Sequence, residues 1–437
     1  MKSPLRLSAV RSVLFAALLP GAVSAHVGAG AGDTDVLPRP STPEAVLLEA
    51  PWGLVVSADG AQFEWICHEV LSNGVAELPE FEVSSSGVLL GVSGLLTGTA
   101  VEGESLYRSV DGCSWDPVAG TTGRVIQDAA FDPEDAAVAV GVTADAVVQG
   151  EPIAGSIFRS TDGGLSFTEV ETYAGRLFRE VRFGGGGRVY ALAVQQDPLA
   201  ALLMTSPDAG LTWTEIVVPD DDLESPAFGV IAAVDPADPD EVWLTFDGNS
   251  IDGALRSVDG GSTLAPVTLP ATSVLDLTLL PNGEAWMVGG DRQLFSSSDR
   301  VTWQEHSDAP QVWGGASGNG GMLFAVNTLA HDEALSSTVD GESFTTVLST
   351  LDLQGPLACP ADSTVAQVCE PLWEDMLRTL TLMRPQPSGD DDDDSAPVVE
   401  PNACDGCDAG GGSVPGSGWL VLAGLLGLAR RRRGRAS

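Results

Sequence analysis

Seven aspartates stand in one repeated setting, each two residues after a Ser or Thr: Asp59, Asp111, Asp162, Asp208, Asp259, Asp299 and Asp340. A carboxylate so placed has two uses. It can act as acid, base or cation ligand, or it can accept bonds from the backbone N–H groups of a tight turn. The surrounding words favour the turn: "SVDGCSW" at 109, "STDGGLSF" at 160 and "TVDGESF" at 338 join the acid to a hydroxyl, a glycine and an aromatic four or five residues on. The other chemistry-bearing residues are scattered. His26, His68, His306 and His331 follow no ligand spacing, "CHEVL" at 67 lacks the second histidine of a zinc-protease helix, and "DGNSIDG" and "DPADPDE" lack EF-hand spacing. Lys2 is the only lysine, which excludes a lysine base or Schiff base from a chain that has lost its leader.

These turns need strands on either side. Short apolar stretches such as "SLYRS", "SIFRS" and "GALRS" precede them, and "FTEV" or "WTEI" follows. Between successive turns there is room for two more strands, as in "RLFREVRF-GGGG-RVYALAV", where "GGGG" at 184 links strands and opens no phosphate-binding helix. A period of roughly 40 to 50 residues with four strands each is the signature of a propeller. The fold expected is all-β: a seven-bladed β-propeller of four-stranded blades over residues 43–384. Only one strand fits before the first turn. The stretch "LDLQGPLACPADSTVAQVCEPLW" reads as two strands that would complete blade one from the C-terminal side, closing the ring with N- and C-terminal strands.

The repeated words resemble the Asp-box, or BNR repeat, of sialidases, sortilin-type receptors, two-propeller xyloglucan hydrolases and a photosystem II assembly factor. The resemblance covers about residues 43 to 374, with Leu264 in place of the aromatic in the fifth copy and Arg300 in place of glycine in the sixth. It implies structural aspartates at the blade rim. A sialidase site needs three converging arginines and a tyrosine nucleophile beside a glutamate. Here the last tyrosine is Tyr190, and Arg108, Arg159 and Arg256 hold equivalent positions just before three turns, so the resemblance does not carry that site.

Both chain ends speak for export. Lys2, Arg6 and Arg11 before "VLFAALLPGAV", with Val23-Ser24-Ala25 at the cleavage position, read as a signal peptide over residues 1–25, followed by an N-terminal segment at 26–42. Six cysteines then meet an oxidising compartment, and Cys359 with Cys369 and Cys67 with Cys113 are the candidate disulfides. Residues 385–413, with five aspartates from Asp390 to Asp394, read as a disordered acidic linker. The end, "CDGCDAGGGSVPGSGWLVLAGLLGLARRRR", is similar to the MYXO-CTERM sorting signal of myxobacterial surface proteins. That resemblance implies processing at Cys407 or Cys404, a short apolar segment within 414–437, and a cytoplasmic stop at Arg430, Arg431, Arg432 and Arg433.

The formal charge is −40, although leader and tail carry eight of the 21 basic residues and no acidic one. Such a surface repels nucleic acid and attracts basic partners or divalent cations, for which no spacing rule locates a site; no cofactor is called for. The function expected is noncatalytic recognition or scaffolding at the cell surface, with a glycan or protein ligand. The alternative is a carbohydrate-active enzyme, a glycoside hydrolase with unrecognised carboxylates. Expected partners are the export and C-terminal processing machinery, with membrane contact only through the unprocessed tail.

Overall fold

The computed structural model describes residues 35–38, 46–50, 52–71, 80–93, 105–144, 154–219, 229–246, 254–271, 273–318, 321–326 and 333–383. These residues form seven four-stranded antiparallel sheets, each built from four strands consecutive in sequence. The sheets are the blades of an all-β propeller. The first strand of every blade lies beside the first strand of the next, so these strands make the inner wall: Asp35–Pro38, Glu80–Val83, Ile126–Phe131, Arg176–Phe183, Gly229–Val234, Val274–Leu279 and Val312–Gly318.

Hydrophobicity falls from the middle of a blade to its rim, and the sequence shows why. Second strands such as "AVGVT" and "AWMVG" are buried along their whole length, because neighbouring blades cover both faces of the sheet. Outer strands such as "TEVETYA" and "QE" are largely exposed and carry the charge. The core is therefore a ring of interblade clusters: Leu90 and Leu106 with Phe131 and Phe158, then Val140 and Ile157 with Phe178 and Met204, and so on around to Trp286 with Phe324.

Ring closure differs from the sequence expectation. Blade one draws all four strands from the N-terminal side, including Asp35–Pro38 and Val46–Ala50, so the propeller starts inside the segment assigned to 26–42. Two strands fit where one was expected because they are short, of four and five residues. The C-terminal stretch instead runs as a strap along the outer strand of blade one: Trp65 N–H donates to Gly355 O at 2.8 Å and Leu357 N–H to Trp65 O at 2.8 Å. It then becomes helical, with α1 at Thr364–Val368 capped by Ser363, and α2 at Trp373–Met383 after Pro371.

The cysteine partners are also exchanged relative to expectation. Cys67 bonds Cys369 and Cys113 bonds Cys359, with Cα separations of 5.4 and 5.5 Å. The expected links Cys67–Cys113 and Cys359–Cys369 are absent. The strap lies across blades one and two, so each tail cysteine meets a blade cysteine before it can meet its neighbour in sequence. Val365 N–H donating to Cys113 O at 3.0 Å holds that alignment.

Candidate functional site

The seven repeated aspartates sit where a third strand turns into a fourth, and all are used by the backbone. In the first, second, sixth and seventh turns one carboxylate oxygen accepts the N–H groups two and three residues on, as Asp59 does from Ala61 and Gln62 at 2.9 Å. The third to fifth turns are one residue longer. There the second oxygen takes a hydroxyl: Ser166 on Asp162 at 2.6 Å, Thr212 on Asp208 at 2.7 Å and Thr263 on Asp259 at 2.8 Å. These donors hold the carboxyls below the usual range: Asp299 falls to about 2 through the N–H groups of Thr302 and Val301, while at Asp162 burial pulls upward and the Ser166 bonds outweigh it. Such groups stay ionised and are unsuited to proton transfer.

Both departures from the repeat are accommodated. Leu264 packs into the cluster between blades four and five. Arg300 adopts φ +60° where glycine is usual, and its guanidinium bonds Asp235 at 2.5 Å and Glu241 at 2.9 Å in the preceding blade. "DPADPDE" is thus a turn that buries two carboxylates for Arg300. Arg108 and Arg159 also serve seams, donating Nε to Gly163 O and Ala209 O of the next blade's turn at 2.7 Å each, while Arg256 pairs with Glu241 at 2.7 Å. Arg108 and Arg159 are each occupied across a different seam and Arg256 within its own blade, so the three do not converge.

Of the histidines, His68 packs half-buried against Phe81, and desolvation pushes it down to about 4. His306 bonds Ser296 Oγ through Nε2 at 2.8 Å and stacks on Trp286, with burial again lowering it. His26, His331, "DGNSIDG", Cys404, Cys407 and Arg430 to Arg433 lie outside the described residues. Among the described residues, no three His, Cys, Asp or Glu side chains cluster as metal ligands.

The constellation that sequence reasoning missed lies on the channel wall. In blades three to seven the inner strand carries one extra residue, a bulge, at Gln127, Arg179, Ala232, Leu275 and Trp313. In three of these strands the next residue is a carboxylate that accepts a backbone N–H from the following blade: Asp128 from Val181 at 2.8 Å, Glu180 from Ile231 at 2.7 Å and Asp276 from Gly315 at 2.8 Å. The signal was present as a lone acid inside an apolar run in "IQDAAF" and "VLDL", whereas Glu180 in "RLFREVRF" stands among arginines and gave none.

Burial raises the carboxyls of both Asp128 and Glu180, opposed by Arg182, whose Nε lies 3.0 Å from Glu180. Around them the wall exposes Arg179, Val230 and Leu275, and the guanidinium of Arg292 stacks 3.5 Å from the ring centre of Trp313. Trp313 stands at the start of its strand, and Arg292 lies in a loop joining second and third strands. Both therefore belong to the face opposite the repeated turns. The arrangement offers a planar cationic and aromatic patch at a channel lined with latched carboxylates.

No family model and no curated protein matches the chain. Among solved structures, YCF48 bound to D1 peptide is 16% identical with a TM-score of 0.37, covering 52% of this chain and 68% of that one. A GH74 xyloglucanase from Xanthomonas campestris is 16% identical with a TM-score of 0.35, covering 72% and 67%. The RRP9 WD40 repeats are 8% identical with a TM-score of 0.45, covering 68% and 88%. Identities this low transfer no functional residue of those proteins to this chain.

Proposed function

We propose that this chain is an exported propeller, displayed at the cell surface, that recognises or scaffolds a glycan or protein without catalysis. The observation that carries the reading is the commitment of the channel carboxylates. Asp128, Glu180 and Asp276 each spend an oxygen on the next blade's backbone, so moving a proton there would loosen a seam. Two disulfides support an oxidising location. The sorting role of Cys407 or Cys404 and of Arg430 to Arg433 belongs to the same reading, with the membrane touched only through the tail before processing.

A second reading as a glycoside hydrolase has one observation in its favour: Asp128 and Glu180 are neighbouring carboxyls, both raised by burial, with Arg182 between them in charge. A glycan-array screen run beside a panel of chromogenic glycosides separates the two. Binding without turnover is expected. Hydrolysis that disappears in Glu180→Gln, while the variant keeps the wild-type melting profile, would establish the enzyme instead.

A further inference from the structure

Among the described residues, Ala209, Arg292 and Arg300 hold a positive φ without being glycine. Ala209 and Arg300 belong to the repeated turns, where other blades place a glycine in the same conformation. Arg292, at φ +64°, lies instead in the loop joining the second and third strands of blade six, with its N–H donating to Gly289 O at 2.7 Å. Strain held outside the repeat calls for a reason of its own. What it achieves is the place of the guanidinium, 3.5 Å from the ring centre of Trp313 in blade seven.

Among the described residues no carboxylate or carbonyl meets that guanidinium, and the Trp313 ring is its partner. Desolvation lowers its pKa with no neighbouring anion to oppose it. In a chain of formal charge −40 this stands apart, since Arg176, Arg188 and Arg300 each hold an acid. Beside Trp313, at the matching bulge of blade six, Leu275 is 44% exposed. The channel mouth thus joins a forked donor, held flat by an indole, to an apolar surface.

We propose that Arg292 anchors the carboxylate of a uronic acid in a bound glycan. Stacking occupies one face of the guanidinium and leaves its in-plane N–H groups free, so a carboxylate can accept two parallel bonds from a side chain that is already ordered. The C–H face of the same sugar then packs on Leu275. A peptide laid along the inner strands would need backbone N–H donors there, and those of Val181, Ile231 and Gly315 are already given to Asp128, Glu180 and Asp276. Recognition falls to side chains, as suits a sugar. The acidic surface repels a polyuronate, so the acid is an isolated one on an otherwise neutral glycan. The inference rests on reading the channel wall as a recognition surface.

The test is fluorescence polarisation of the full chain with labelled tetrasaccharides that end in glucuronate or galacturonate, each beside its neutral parent. Binding of one acidic form at least about tenfold tighter than its parent is expected, weakening as salt rises. Arg292→Gly suits the positive φ, so it should keep or raise Tm while bringing that ratio to about one. Arg292→Lys, which keeps the charge and loses the fork, should retain at most about a third of the wild-type affinity. A ratio near one in the wild type, a ratio that survives in Arg292→Gly, or full affinity in Arg292→Lys overturns the proposal. Equally tight binding of labelled Gly-Gly-Leu that vanishes on amidating its C-terminus overturns the assignment to a glycan. Binding of the neutral parents alone overturns the inference and leaves the recognition reading standing, whereas cleavage of a tetrasaccharide overturns that reading itself.

Discussion

Replacing Cys67 and Cys369 together by alanine removes a bond across 302 residues of chain, and replacing Cys113 and Cys359 removes one across 246. On the chain-entropy account, a single cross-link over either span is worth about 5.5 kcal/mol at 25 °C. The two are not independent. With one bond in place, the other closes only the circuit through residues 67–113 and 359–369, about 55 residues, which is worth about 4 kcal/mol. Each paired variant should therefore lose about 4 kcal/mol, and the variant lacking all four cysteines about 10, more than the two losses added. Cys67 and Cys369 are fully buried, so alanine rather than serine avoids adding an unpaired hydroxyl. Guanidinium unfolding followed by tryptophan fluorescence, at matched m-values, gives the three differences. If one bond carries nearly all the loss, or the quadruple variant loses less than the sum, packing of the strap holds the tail and parallel cross-linking does not.

His68 has its folded pKa pushed by burial from 6.5 to about 4, so its neutral form is the folded one. Stability should be full above about pH 6.5 and decline as pH falls towards 4, by about 3 kcal/mol, a slope that His68→Phe should flatten in a Tm-against-pH series. Arg300→Gly restores the repeat's usual residue and relieves a positive φ, yet it strips the buried Asp235 of its cation. A net loss of about 3 kcal/mol in urea unfolding is expected, and a gain would show that backbone strain outweighs the pair. Gly120 has φ +88°, and a Cβ there would lie 2.0 Å from Phe167 O, so Gly120→Ala should lower stability by about 2 to 3 kcal/mol or more in the same assay.

The seven turns and the four-strand period were legible from sequence because their physics is local. A hydroxyl, a carboxylate and a glycine within five residues satisfy one another's backbone wherever the chain carries them, and "STDGGLSF" forms the same kind of turn as "SVDGCSW". The apolar second strands were equally legible, since burial on both faces demands an unbroken run. The partners of the cysteines were not, because Cys67 and Cys369 meet only after six further blades have brought the tail back to the first. The same distance hid the work of Asp128 and Glu180: the backbone N–H that each latches belongs to the next blade. Arg108, Arg159 and Arg256 look identical in sequence, yet each is satisfied by whatever the adjoining turn presents: Gly163 O, Ala209 O and a carboxylate of the same blade. Local hydrogen bonding specified the blade, and only the closed ring decided what faces what across each seam.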